Sequence, residues 1–144
     1  MGGACHLPGG RPTVVVWSAV NVEIGLRGVA MLVVTESDTA VAFRSGSVPV
    51  LATPRIIALC EEASCLAVEG KLPDGMTSVG MRVQLDHLQP TAVGGIVNAE
   101  AILEKTEGRR LTFTVSASDT KGLVAAGKVT RVLVEVDRFL SKAD

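Results

Sequence analysis

Residues 53–70 read Thr53-Pro54-Arg55-Ile56-Ile57-Ala58-Leu59-Cys60-Glu61-Glu62-Ala63-Ser64-Cys65-Leu66-Ala67-Val68-Glu69-Gly70. Thr53 is a good N-cap, Pro54 suits the first helical position, and Gly70 suits a left-handed closing residue. The spacing predicts one long helix over about residues 54–69. Arg55, Glu62 and Glu69 recur every seven positions and mark a solvent stripe, while Ile56, Leu59, Cys60, Ala63 and Ala67 mark a buried one. Small residues (Ala58, Ala63, Ser64, Cys65, Ala67) let such a helix lie close against something flat, such as a sheet.

The flanking sequence supplies that sheet. Upstream, residues 22–34 are rich in β-branched and apolar side chains, with Gly25 and Gly28 predicting a strand that bulges or bends. Residues 35–40 read as a short helical turn with capping residues. Residues 41–52, with Ser45-Gly46-Ser47 and Pro49, read as a loop. Downstream, Pro73-Asp74-Gly75 marks a turn, and four strands follow over 77–90, 95–105, 109–119 and 122–137. Thr106-Glu107-Gly108 joins the middle two as a hairpin. In 77–90, Val79, Met81, Val83 and Leu85 share a face opposite Ser78, Arg82, Gln84 and Asp86. The expectation is an α+β domain, with one long helix on an antiparallel sheet of about five strands. One helix covers one face only, so the other is solvated or the sheet edge meets a second subunit.

Composition narrows the function. The 144 residues suit one domain, 47% of them are apolar, and the formal net charge is −1. That balance argues against a nucleic-acid or membrane-surface binder, which needs a basic excess. Trp17, Phe43, Phe113 and Phe139 are too few for base-stacking platforms. No run approaches the ~20 apolar residues of a membrane span. Cys5, Cys60 and Cys65 have neither metal-ligand nor disulfide-framework spacing, which predicts a reduced, cytoplasmic protein and no metal. Residues 1–20, rich in Gly and Pro, read as a flexible extension, residues 21–140 as the domain, and residues 141–144 as a tail.

Three placements point to chemistry. Thr53 puts a hydroxyl at a helix start, where the local field favours negative charge and free amides can hold an oxyanion. Glu61 lies with Ile57, Ser64, Cys65 and Val68 on a semi-apolar surface, a setting that suits a general base or nucleophile. Glu62, about 100° away, belongs to the solvent stripe. His87 continues the inward series of its strand and sits near the turn at Pro90. Thr53 and Glu61 are eight residues apart, roughly 12 Å along the axis, so their side chains do not meet within one helix. Either a substrate spans the gap or the two come from different subunits. Each residue also has a plain structural reading: an N-cap, a paired boundary carboxylate, a core histidine. Arg131 lies with Val129 and Leu133 on one face and either snorkels or lines a cleft.

The runs Val48-Pro49-Val50-Leu51-Ala52-Thr53-Pro54, Leu59-Cys60-Glu61-Glu62-Ala63, Thr77-Ser78-Val79-Gly80, His87-Leu88-Gln89-Pro90-Thr91, Glu107-Gly108-Arg109-Arg110-Leu111 and Gly127-Lys128-Val129-Thr130-Arg131 resemble the fluoroacetyl-CoA thioesterase-like branch of the hotdog-fold thioesterases. The resemblance spans about residues 22–140. It implies a hotdog fold, hydrolysis of an acyl-CoA thioester, and a homodimer or dimer of dimers. It implies no cofactor, CoA being part of the substrate. Carried over, Thr53, Glu61 and His87 match the family's catalytic triad. Gly80 matches a glycine whose backbone approaches the acyl group, and Arg131 an arginine near the acyl pocket. Where fluoroacetyl-specific members carry an aromatic gate before the threonine, this chain has Ser45-Gly46-Ser47-Val48, which points to a more general acyl-CoA substrate. The alternatives are a non-catalytic acyl-CoA-binding module and a hotdog hydratase or dehydratase. The latter is disfavoured because Asp86 and His87 are adjacent on opposite faces of a strand. Arg109, Arg110, Lys121 and Lys128 are candidates for the CoA phosphates.

Overall fold

The computed structural model describes residue 20 and residues 22–144; the reading of residues 1–20 as an extension falls, apart from Val20, outside them. Five antiparallel strands form one sheet in the order β1-β3-β4-β5-β2: β1 (Arg27–Val33), β2 (Met76–His87), β3 (Ile96–Glu107), β4 (Arg110–Asp119) and β5 (Gly122–Glu135). A single long helix, α2 (Thr53–Ala67), lies on one face. Ile56, Leu59, Cys60, Ala63 and Ala67 are buried, as their spacing predicts. They meet the inward residues of the sheet, among them Val97, Ala99, Leu103, Phe113, Val115 and Val129. The helix sits close to β1 because Gly28 has no side chain: a Cβ there would stand 2.0 Å from the carbonyl oxygen of Ala63.

Several boundaries differ from the expectation. The N-cap of α2 is Ala52, and Thr53 is the first helical residue. Its hydroxyl is therefore free of capping duty. The helix ends at Ala67, with Val68 as C-cap and Gly70 at φ 75° just beyond. The first strand is shorter than residues 22–34. The turn at Glu36–Asp38 is present, with Thr35 and Asp38 forming a reciprocal capping box. The segment read as loop contains α1 (Ala40–Phe43), capped by Thr39 and closed by Arg44 at φ 58°. The last strand ends at Glu135 rather than at 137, and α3 (Val136–Ser141) follows it.

The most consequential difference lies in β2. Its pairing with β5 slips between Gly80 and Arg82, leaving Met81 as the extra, exposed residue of a bulge. Ser78 and Gly80 pair with Leu133 and Arg131, and Val83, Leu85 and His87 pair with Val129, Gly127 and Ala125. Directly paired residues share a face, so even positions face the helix before the bulge and odd positions after it. Continuous alternation over 77–90 is corrected accordingly: Ser78 faces inward, and Met81 does not.

The other sheet face is uncovered among the described residues. In β2 it carries exposed Arg82, Gln84 and Asp86, but on β1 and β3 it carries exposed Val29, Met31, Val33, Ile96 and Ile102. No helix here is long and apolar enough to cross a membrane. Cys60 is a free, fully buried thiol. Cys65 is disulfide-bonded, which corrects the expectation of three reduced cysteines.

Candidate active site

The candidate residues gather at two places along α2. At its start, Thr53 Oγ1 lies 2.8 Å from His87 Nδ1. The bulge makes this contact possible, because it brings the end of β2 round with His87 on the helix side. The other ring nitrogen, Nε2, is buried without a hydrogen-bond partner. Burial lowers the His87 pKa below its ordinary 6.5, against a backbone hydrogen bond with Gln89 that raises it. The imidazole is therefore neutral at pH 7 and able to take a proton. Thr53 and His87 line a cleft of about 330 Å³, together with Ala40, Gly46, Val48 and Leu88.

The expectation of several free amides at this helix start is corrected. Pro54 has no N–H, and the amides of Arg55 and Ile56 both donate to the Ala52 carbonyl. The Thr53 amide is what the helix start leaves for an oxyanion. Arg55 meanwhile ties α2 to the preceding turn, its Nε donating to Asp38 Oδ1 at 3.0 Å. Burial pushes the Asp38 carboxyl up, but hydrogen bonds from Thr35 and Arg55 outweigh it and hold the group below its usual value.

Two turns further along, Glu61 accepts a hydrogen bond at Oε2 from Arg131 Nη1 at 2.9 Å. The two side chains are 32% and 6% exposed respectively. Arg131 is thus no snorkelling charge: burial lowers its pKa while the Glu61 carboxylate works against that. Its Nε donates to Ser78 Oγ at 2.8 Å and its Nη2 to the Ser78 carbonyl at 2.9 Å. Gly80 stands opposite Arg131 in the strand pairing, and a Cβ there would fall 2.6 Å from Glu61 Oε2. Glycine at 80 is therefore what makes room for the carboxylate.

Neighbouring Cys60 is no competitor as a nucleophile. Burial, with the Glu61 charge adding to it, pushes its thiol pKa up to about 11. Ser78 escaped the sequence reading, since only knowledge of the bulge turns it inward. Among the basic residues considered for CoA phosphates, Lys128 pairs with Glu104 at 2.8 Å, and Arg109 sits at the β3–β4 turn.

No hydrogen bond joins the Thr53–His87 pair to the Glu61–Arg131 pair. The arrangement offers a hydroxyl and a neutral imidazole at one place and an oriented carboxylate at another, the groups needed to activate water or attack a carbonyl. One long helix on a curled five-stranded sheet with this set of groups defines a hotdog-fold acyl-CoA thioesterase, a thioester hydrolase.

Comparison with known proteins agrees. Residues 34–137 match the family of fluoroacetyl-CoA-specific thioesterases, and the chain belongs to it. A fluoroacetyl-CoA thioesterase from Streptantibioticus cattleyicolor is 32% identical over 93 residues, which cover 65% of this chain and 67% of that protein. A solved structure of the fluoroacetyl-CoA thioesterase superposes with a TM-score of 0.81 at 27% identity, covering 85% of this chain and 96% of the other. A thioesterase superfamily member from Thermus thermophilus gives a TM-score of 0.77 at 26% identity, covering 85% and 93%.

Proposed function

We propose that this thioesterase hydrolyses acyl-CoA at a composite site, with Thr53 and His87 of one subunit facing Glu61 of its partner in a homodimer. The observation that carries it is the split along α2: Thr53, paired with His87, and Glu61, paired with Arg131, sit two turns apart on one helix without meeting. Glu61 takes a proton from the water that adds to the thioester carbonyl, or attacks that carbonyl directly. The developing oxyanion is held by the Thr53 amide, and His87, neutral at rest, first receives the proton released as the nucleophile adds and then hands it to the departing CoA thiolate. Thr53 hydrogen-bonds the reacting groups or carries the acyl group transiently. Gly80 lets the reacting end approach the carboxylate, and Arg131 flanks the same spot. The products are a free acid and CoA, with no cofactor consumed.

The substrate we favour is a general acyl-CoA rather than fluoroacetyl-CoA. The cleft beside Thr53 is edged by Ser45, Gly46 and Val48, and no Phe, Trp or Tyr is among the described residues that line it. A cytoplasmic location follows from that substrate, since CoA thioesters are made and used inside cells.

The test is release of free CoA thiol from an acyl-CoA panel by the wild type, Glu61→Ala and His87→Ala. Turnover abolished in both variants supports these roles. Binding without turnover on any chain length would instead make this a non-catalytic acyl-CoA-binding module, and unchanged turnover in both variants would refute the residue assignment.

A further inference from the structure

We propose that Ser78 is a positioning residue for Glu61, acting through Arg131; its kinetic consequences rest on the thioesterase reading above. A guanidinium is a rigid planar fork of five N–H donors, so fixing one edge fixes where the others point. Ser78 takes two of those donors, Nε on its hydroxyl at 2.8 Å and Nη2 on its carbonyl at 2.9 Å. The remaining terminal nitrogen, Nη1, then aims at Glu61 Oε2 at 2.9 Å.

Both partners are out of solvent: Ser78 is 7% exposed and Arg131 5%. A buried hydrogen bond to a charged group is worth more than an exposed one, and an unpaired buried N–H is costly. Ser78 and Arg131 belong to neighbouring strands, and the bulge after Gly80 keeps Ser78 on the helix side. Gly80 completes the cradle, since a Cβ there would lie 2.6 Å from Glu61 Oε2 and 3.8 Å from Arg131 Nη1. One carboxylate oxygen is thereby anchored. Oε1 accepts no hydrogen bond from the described residues and is the oxygen presented to the reaction. Arg131 thus serves the carboxylate before it serves the substrate.

Removing the Ser78 hydroxyl leaves Nε without that partner and this edge of the guanidinium on the backbone carbonyl, which loosens its aim at Glu61. The experiment compares Ser78→Ala and Ser78→Thr, each alone and with Glu61→Gln. Ser78→Ala is expected to lower kcat by about 10–100-fold, the cost of misplacing a reacting group by ~1 Å, with KM changed less than about twofold. Ser78→Thr keeps the hydroxyl and recovers most of the rate. In the Glu61→Gln background Ser78→Ala costs nothing further, because the carboxylate it positions is gone.

A second measurement stands apart from activity. The Arg131 Nε–H resonance in ¹⁵N-arginine-labelled protein is expected to be protected from exchange in the wild type and in Ser78→Thr and unprotected in Ser78→Ala. Losses that add in the double variant, an unchanged kcat in Ser78→Ala, or an Nε–H still protected there would each overturn the proposal. If the wild type releases no CoA from any acyl-CoA, the thioesterase reading falls, and the Nε–H measurement alone decides the role of Ser78.

Discussion

Thr53 and His87 meet at the start of α2 as two neutral groups, whereas Glu61 and Arg131 meet two turns later as an ion pair. The first pair opens on a cleft and leaves one imidazole nitrogen buried and unpartnered. The second is braced by Ser78 and fitted around Gly80. On the proposed mechanism, the difference separates a place where protons move from a place where a charge is held still. General acid–base work needs a group near its titration point, while a carboxylate base needs fixed aim.

Breaking the charged end should cost most. Glu61→Gln keeps the shape and a hydrogen-bonding oxygen but removes the base, and should lower kcat by about 10²–10⁴-fold. A steady-state assay of CoA release showing less than a tenfold loss would contradict the role given to Glu61. Gly80→Ala should come next, at about 10²-fold, because its Cβ would intrude on Glu61 Oε2 at 2.6 Å. Thermal melting run alongside should show that most of the protein remains folded.

The neutral end is probed by pH. With the His87 pKa held below 6.5 by burial, the rate should persist as pH falls to 6.5 and decline only below it. The imidazole must bind a proton to lose its acceptor, so the loss appears on the acid side. The same group makes folding stability full above pH 6.5 and progressively lost as pH falls through that value towards the lower folded one. A rate that already falls with decreasing pH above 6.5 would contradict the assignment. The smallest effect belongs to Glu62→Gln, which should leave kcat/KM within about twofold, as expected of a residue outside both pairs. A large loss there would move the base from Glu61 to its neighbour.

Much of the fold was legible because its signals are periodic. The buried stripe Ile56–Leu59–Cys60–Ala63–Ala67 is a helical pattern with a single reading, and the four downstream strands are separated by turn residues. What escaped was aperiodic. A bulge adds one residue without changing composition, so Met81 was counted as inward and Ser78 as outward. Thr53 beside Pro54 fits an N-cap and a first helical position equally well, and tertiary contact with His87 decides between them. The short helices α1 and α3 are too brief to show a helical period. The site itself came from the family resemblance more than from the chemistry of single residues. A lone Thr, Glu or His each has a structural explanation, and only the joint register separates them from it.

The central claim is that the two pairs complete one another across subunits. It is tested most directly by mixing two inactive variants, Glu61→Ala and His87→Ala, under conditions that exchange subunits, and assaying CoA release. In a mixed dimer both lesions fall on one composite site and leave the other intact. Statistical exchange makes half the dimers mixed, so about a quarter of wild-type activity should return. Mixtures that stay inactive while mass spectrometry shows mixed dimers would contradict a shared site and place all three residues within one subunit's own chemistry.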